Sequence, residues 1–95
     1  MSNVERHKSI CQDLNKLYEA KNKDYGDSFG KSYQEYGLTM ACIRLEDKLN
    51  RLKALNKNGN QEVKDESIED TLLDLANYAI LTLIEMRIKN ENVDL

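Results

Sequence analysis

Apolar residues recur at intervals of three and four along three long stretches of this sequence, which is the spacing that places side chains on one side of an α-helix. The stretches are residues 3–22, residues 40–56 and a third that begins near residue 66 and runs to about 89. Nowhere do apolar and polar residues alternate over enough positions to indicate a β-strand. The sequence therefore predicts an all-α fold.

Capping residues predict where these helices begin. Ser2 and Glu5 match a capping box, in which the Ser2 hydroxyl accepts from the Glu5 amide. Thr39 is the predicted cap of the second long helix. Asp65 or Ser67 is the predicted cap of the third, because both precede its apolar positions.

A short helix is predicted between the first two long ones, over residues 28–36. Its aromatic residues Phe29, Tyr33 and Tyr36 have helical spacing, and Gly37 suits the left-handed residue that ends a helix. After the second long helix, the segment "NKNGN" predicts an exposed turn. The second long helix presents a row of apolar residues as its predicted packing face: Leu38, Cys42, Leu45, Leu49 and Leu52.

Chain length constrains how these helices are organised. The 95 residues are expected to form a single all-α domain over residues 1–95, with a core at about 3–89 and a frayed tail at 90–95. We expect a small antiparallel helical bundle of three main helices plus the short one. Since a domain of this size buries only about two-thirds of its unfolded surface, homo-oligomerisation is expected to supply further core.

Charge and composition make several partners unfavourable. The net charge of −3 gives no general attraction to duplex nucleic acid or to an anionic membrane. The longest nearly apolar run, "LANYAILTLI", is about half of the length needed to cross a bilayer. Cys11 and Cys42 show no metal-binding spacing, and the first residues lack the apolar stretch of a secretory signal. The sequence therefore predicts a cytoplasmic protein.

A row of polar residues interrupts the apolar surface of the third long helix. Glu66, Asp70 and Asn77 fall in one narrow sector of a helical wheel, and Asp74 lies at its edge. The remaining directions are apolar, so the helix is expected to be surrounded by protein and the acids to face an interior or a cleft. Buried carboxylates are costly unless they are paired, which predicts a divalent cation such as Mg²⁺ or basic side chains opposite them.

The second long helix offers such basic side chains. Arg44, Lys48 and Arg51, with Asp47 among them, have a spacing that places them on one side of the helix. Facing the acids, they would form either an internal salt-bridge ladder or a site for phosphate and metal. The residues alone leave both interpretations open.

Residues between the first two long helices combine aromatic rings, lysines and glycines. Lys21 and Lys23 lie beside "DYGDSFG", where their ammonium groups can neutralise phosphate, and Tyr25 or Phe29 can stack on a base. Aromatic residues at helical spacing most often close a small core, which favours a structural role for these rings over stacking on a base. This stretch predicts one wall of a ligand site.

Three sequence blocks in a fixed order resemble a family of small phage and prophage proteins, the first of those known as nucleotide modification associated domains. The blocks are "KNKDYGDSF", "RLEDKLNRLKAL" and "ESIEDTLLDLANYAIL", and the resemblance covers roughly residues 18–84. The resemblance implies a connection with phage nucleotide metabolism and does not establish an activity. The positions that it marks are Asp24, Tyr25, Gly26, Arg44, Asp47, Lys48, Arg51, Glu66, Ser67, Asp70, Asp74 and Tyr78.

The third block is also similar, more distantly, to the last acidic helix of the all-α nucleoside triphosphate pyrophosphohydrolases of the MazG and dimeric dUTPase type. Those enzymes hold Mg²⁺ between two pairs of acidic residues and cleave a triphosphate between its α and β phosphorus atoms. This similarity implies a metal site at Glu66, Asp70 and Asp74, with Asp47 as a further ligand or base. Where the enzymes have their first acidic pair, this chain has Glu46 and Asp47, which are adjacent and point to different sides of the helix.

The leading interpretation is a phage-derived protein that binds a nucleotide, a cyclic nucleotide or another phosphate-bearing nucleoside. It would act in nucleotide metabolism or sequester a nucleotide immune signal of the host; the sequence establishes no cofactor and leaves Mg²⁺ open. The alternatives are a Mg²⁺-dependent pyrophosphohydrolase, with the metal ligands named above, and a non-catalytic helical interaction module. The predicted ligand-binding residues are Lys23, Asp24, Tyr25, Phe29, Arg44, Asp47, Lys48, Arg51, Asp70, Asp74 and Asn77.

Overall fold

The computed structural model describes residues 1–58 and 61–93, and within them every side chain except those of Tyr25, of residues 61–66 and of residues 92–93. Both described ranges are helical and contain no strand, which confirms the all-α prediction. No helix in these ranges is long and apolar enough to span a membrane. The helices are α1 (Asn3–Tyr25), α2 (Ser28–Tyr36), α3 (Leu38–Lys57) and α4 (Gln61–Val93).

Helix α1 begins where the capping box predicted. The Ser2 hydroxyl accepts from the backbone amide of Glu5 at 3.1 Å. The helix continues to Tyr25, three residues beyond the predicted end, because Gly26 is the first residue that stops it. Gly26 has a φ of 71°, and its amide donates to the Asn22 carbonyl at 2.9 Å. The C-terminal turn of α1 therefore reaches the start of α2.

Helix α2 has the predicted bounds, residues 28–36. Asp27 caps it by accepting from the amide of Gly30 at 2.9 Å, and Gly37 ends it with a φ of 71°. Phe29 and Gly30 are buried, so the first turn of α2 faces the interior.

Helix α3 begins without the predicted side-chain cap. Gly37 both ends α2 and begins α3, and no side chain caps α3 there, so the prediction that Thr39 caps this helix was wrong. The predicted packing face was also misplaced, because Leu38 and Leu49 are exposed. The face through which the helix packs is rotated from the predicted one. It consists of the buried and half-buried residues of α3: Met40, Ala41, Leu45, Lys48, Leu52 and Leu55.

Helix α4 is longer than predicted at both ends. It begins at Gln61, so neither Asp65 nor Ser67 is its cap, and it continues to Val93 through part of the predicted tail. Between residues 61 and 93 the sequence contains no Gly or Pro that would end a helix. Of the predicted "NKNGN" turn, residues 56 and 57 belong to α3 and Asn58 caps it. Residues 59–60 and 94–95 lie outside the described residues.

The bundle is organised around α4. Helices α3 and α4 form the most extensive contact, α2 packs against both, and α1 packs against α4. Phe29, Met40 and Ala41 form a buried cluster, against which Tyr33, Tyr78 and Leu81 pack. Because Phe29 opens α2, this core lies directly beside the junction where α1 ends and α2 begins.

One side of α4 is not covered by the rest of the chain. Leu72, Ile80 and Leu83 are 48%, 44% and 50% exposed, and their spacing places them on the side opposite Asp74. The sequence predicted that protein surrounds this helix. Within a single chain that prediction was wrong, because α1, α2 and α3 pack against only part of its circumference.

Candidate functional site

A hollow opens where the end of α1, the start of α2 and the middles of α3 and α4 meet. It encloses about 320 Å³, which is within the range of small-molecule sites. Charged, aromatic and amide side chains line it together, which distinguishes it from a packing defect in an apolar core. Its lining residues are Tyr18, Lys21, Asn22, Gly26, Asp27, Ser28, Phe29, Arg44, Lys48, Asp74, Asn77, Tyr78 and Leu81.

Asp74 organises the cations of this hollow. Its carboxylate lies 3.0 Å from the Lys48 ammonium and 3.5 Å from the Lys21 ammonium. Asp74 and Lys48 are half-buried, whereas Lys21 is exposed. An ion pair that is partly shielded from water holds its geometry better than one on the open surface. Asp74 therefore brings one lysine from α1 and one from α3 to the same side of the hollow.

Tyr78 forms an aromatic floor beneath the cations. The Arg44 guanidinium lies 5.9 Å from the centre of its ring and the Lys48 ammonium 6.0 Å from it. Tyr78 also stacks on Phe29, with the ring centres 5.8 Å apart and the planes 20° apart. Cations are attracted to the face of an aromatic ring within about 6 Å. The Tyr78 ring thus contacts both the buried Phe29 of the core and two cations of the hollow.

The rest of the basic row on α3 borders a second, shallower depression. Arg44, Asp47, Lys48, Arg51 and Tyr78 line it. Since Arg44, Lys48 and Tyr78 also line the hollow, the two cavities share one wall. The predicted one-sided row of charges on α3 therefore lies along a single continuous surface.

The structure brings some of the predicted site residues together and leaves others apart. The hollow contains Phe29, Arg44, Lys48, Asp74 and Asn77, and the shallow depression adds Asp47 and Arg51. The exposed side chains of Lys23, Asp24 and Asp70 line neither cavity. The side chains of Tyr25 and Glu66 lie outside the described residues.

Several lining residues were not among the predicted ligand-binding residues. Lys21 was considered as a phosphate-neutralising group, and Tyr78 was marked by the family resemblance, but neither was selected. Tyr18 and Asn22 have the spacing of neighbours on one side of a helix, which is a signal that the sequence offered. Asp27 caps α2 in the structure, and nothing in the sequence indicated that it would also line a cavity.

Beyond Phe29 the hollow continues into an acidic compartment of about 310 Å³. The compartment shares Tyr18, Asn22, Asp27, Phe29 and Leu81 with the hollow and adds Ile84, Glu85 and Ile88. Glu85 is only 7% exposed. Burial raises the pKa of its carboxyl above the ordinary value, and the negative charge of Asp27 raises that pKa further.

The predicted metal site lies only partly within the described residues. Among the side chains that the structure describes, no group of three or more His, Cys, Asp or Glu residues is arranged to hold a metal ion. Of the three predicted ligands, Asp70 is exposed, Asp74 is paired with two lysines, and the Glu66 side chain is not described.

Fold and site together define a helical bundle with a cation-bearing, aromatic-floored hollow. The sequence profile of the family described as nucleotide modification associated domain 1 matches residues 21–86, and the chain belongs to this family. The matched region includes most of the residues that line the hollow, although Tyr18 precedes it. The family's description associates it with nucleotide modification. No curated protein and no solved structure matches the chain significantly.

Proposed function

We propose that this protein binds a nucleotide in the hollow, with phosphate held by Lys21, Arg44 and Lys48 and the base directed toward Phe29. The observation that carries the proposal is the convergence of these three cations, from two helices, on one hollow. Arg44 and Lys48 lie over the ring of Tyr78, and Lys21 and Lys48 pair with Asp74. A flat apolar wall beside a positive one suits a ligand that has a base at one end and phosphate at the other.

Local charge supports phosphate binding even though the whole chain is acidic. The hollow is lined by three cations and two carboxylates, those of Asp27 and Asp74, so it is locally positive in a chain of net charge −3. Both ion pairs of the described residues use Asp74, whereas Arg44 lies over the Tyr78 ring. An arginine in that position presents a planar set of donors, which matches the oxygens of a phosphate group.

The biological role that we propose requires only that the protein binds a nucleotide, with no catalysis. A phage-encoded protein of this kind, acting in the cytoplasm of the infected host, would supply nucleotides for modification or sequester a nucleotide immune signal. The family's association with nucleotide modification supports the first role. The second needs only an affinity high enough to keep the signal bound. A mononucleotide or a cyclic nucleotide is the expected ligand in either case.

Isothermal titration calorimetry tests this proposal. The ligands are pyrophosphate, nucleoside mono-, di- and triphosphates and cyclic dinucleotides, and the variants are Lys48→Gln and Arg44→Gln. Because a hydrogen bond to a charged group contributes about 1.5–3 kcal/mol, each variant is expected to weaken binding roughly ten- to a hundredfold. Lys53→Gln is the matched control, since it removes the same charge from an exposed position of α3.

Two outcomes would contradict nucleotide binding in the hollow. One is the absence of binding to any phosphate ligand, which favours the interaction module. The other is binding that Lys53→Gln weakens as much as Lys48→Gln, because the hollow would then not be the site. Chromatography of the ligands after incubation with Mg²⁺ tests the hydrolase alternative directly. Release of monophosphate from triphosphate, abolished by Asp70→Asn or Asp74→Asn, would replace binding by hydrolysis as the function.

We also propose that a second copy of the chain covers the exposed side of α4. Leu72, Ile80 and Leu83 form an apolar surface on the side of α4 away from the hollow, and every copy carries the same surface. Multi-angle light scattering is expected to show an oligomer for the wild type and a single chain for Leu83→Glu. Asn50→Glu, at an exposed position of α3, is expected to leave the mass unchanged. A monomeric wild type would overturn this part of the proposal.

A further inference from the structure

Helix α4 carries a line of side chains from the positive end of the hollow to the acidic compartment. Asp74, Tyr78, Leu81 and Glu85 succeed one another at intervals of four, three and four residues, so they lie on one side of the helix. From Asp74 to Glu85 is eleven residues, or about 16 Å along the axis at 1.5 Å per residue. Such a distance suits an extended nucleoside polyphosphate, with phosphate near Asp74 and the far edge of the base near Glu85.

Glu85 is an unusual residue at the end of this line. As a whole residue it is more than nine-tenths buried, it lines the acidic compartment, and among the described residues no fully buried side-chain oxygen lacks a partner, so the oxygens of its carboxyl are accessible from a cavity. A buried carboxylate is costly unless donors satisfy it. Asp27 lies in the same compartment, where one of its oxygens accepts from the amide of Gly30. The compartment therefore presents acceptors that the protein itself does not use.

We infer that the acidic compartment is a base-specificity site in which Glu85, assisted by Asp27, accepts hydrogen bonds from the donor edge of guanine. This inference rests on the proposed function, because the phosphate of the same ligand has to occupy the hollow. Glu85 and Asp27 then select the base, whereas Lys21, Lys48 and Arg44 determine the affinity for phosphate.

The argument for guanine comes from hydrogen-bonding capacity. An ionised carboxylate only accepts hydrogen bonds, through two adjacent oxygens. Guanine presents two adjacent donors, its N1–H and its N2 amino group, and so matches both oxygens of one carboxylate. Adenine and cytosine place one donor beside one acceptor, and uracil places its single N–H between two carbonyls. Each of these bases leaves at least one carboxylate oxygen facing an acceptor or no partner at all.

Protonation of Glu85 makes this selectivity depend on pH. The ionisable groups that line the cavities around Glu85 are Tyr18 on α1, Asp27 at the start of α2, Tyr33 on α2 and Lys89 on α4. Only the ionised form of Glu85 can accept both guanine donors. Guanine affinity is therefore expected to rise with pH as Glu85 loses its proton. Adenine affinity is expected to follow the opposite trend, because a protonated carboxyl can donate to adenine N1 while it accepts from the N6 amino group.

Calorimetry with the α,β-methylene analogues of GTP, ATP, CTP and UTP tests the inference, since these analogues resist cleavage between the α and β phosphorus atoms. For the wild type we expect a preference for the guanine analogue of roughly tenfold or more, the discrimination that a two-bond contact to a base edge provides. Glu85→Gln is expected to remove that preference, to leave the affinity for the uracil analogue within about twofold and to strengthen binding of the adenine and cytosine analogues, because the glutamine amide, like a protonated carboxyl, pairs with one donor beside one acceptor. Glu91→Gln, an exposed position further along α4, is the matched control.

A second variant separates base recognition from folding. Asn is as good a helix cap as Asp, so Asp27→Asn keeps the α2 cap and removes only the charge. We expect it to reduce the guanine preference less than Glu85→Gln does.

Glu85→Gln is expected to raise the melting temperature at neutral pH, because it removes the cost of a buried charge. That gain should shrink as the pH falls toward the ordinary pKa of Glu, since a raised folded-state pKa destabilises the fold only once the carboxyl ionises.

The outcomes distinguish this inference from the proposed function. If all four analogues bind, Lys48→Gln weakens them and the wild type does not prefer guanine, then nucleotide binding stands and the base-specificity site is overturned. A guanine preference that survives Glu85→Gln also overturns it. If none of the analogues binds, both the proposed function and the inference are overturned.

Discussion

Phe29→Ala is expected to lower the free energy of unfolding by about 3–5 kcal/mol, the usual cost of removing a buried aromatic ring. Phe29 is buried with Met40 and Ala41, and its ring stacks on that of Tyr78. A domain of this size has a total stability of only about 5–15 kcal/mol. The substitution should therefore remove a large part of the stability of the fold.

Urea unfolding followed by circular dichroism measures this loss. The midpoint should fall while the slope stays unchanged, which is the signature of lower stability without a change in the unfolded state. Phe29→Leu keeps most of the apolar volume and is expected to cost clearly less. All variants need the same protein concentration, because oligomerisation would add to apparent stability. A loss below about 1 kcal/mol for Phe29→Ala would show that Phe29 is not a core residue.

Gly26→Ala is expected to cost about 1–3 kcal/mol because of its backbone conformation. Gly26 has φ 71° and ψ −163°, a region that is almost restricted to glycine. An added Cβ would meet no atom within 4 Å, so the cost comes from the backbone and not from a clash. Gly26 separates α1 from α2, and the strain would therefore act directly on the junction that forms the hollow.

Gly30→Ala provides the contrast for this measurement. Gly30 lies in a regular helical turn, but an added Cβ would clash with the carboxylate of Asp27. Losing that cap lowers the free energy of unfolding by about 0.5–2 kcal/mol, whereas replacing glycine by alanine within a helix raises it by about 1 kcal/mol. The net change should be close to zero by urea unfolding. Equal losses for the Gly26 and Gly30 variants would contradict the assignment of backbone strain to Gly26.

Helical segments were predictable from this sequence, whereas several of their ends were not. The bounds of α2 were correct because Gly37 gives a local signal that needs no tertiary information. Thr39, Asp65 and Ser67 are good capping residues that nevertheless lie inside helices. Capping preference shows where a helix can begin, but a helix continues past such a residue when the preceding residues also tolerate helical structure.

The candidate site was predictable in its chemistry more than in its geometry. The one-sided spacing of charges identified Lys48 and Asp74, which lie on different helices and form an ion pair. Asp70 shares the predicted sector but is exposed, because the face of α4 that meets α3 depends on how the two helices pack. The spacing of Tyr18 and Asn22 places them on one side of α1, but tertiary information was required to know that this side lines the hollow.

The single glycine between α2 and α3 limits which parts of the hollow can move. Because Gly37 ends one helix and begins the next, there is no loop between the helix that carries Phe29 and the helix that carries Arg44 and Lys48. The aromatic wall and two of the cations thus form a corner of fixed geometry, which would need no ordering on the proposed nucleotide binding. Lys21 is carried by α1, which packs sparsely on α4, so under the proposed nucleotide binding any adjustment to ligands of different size would fall to that helix.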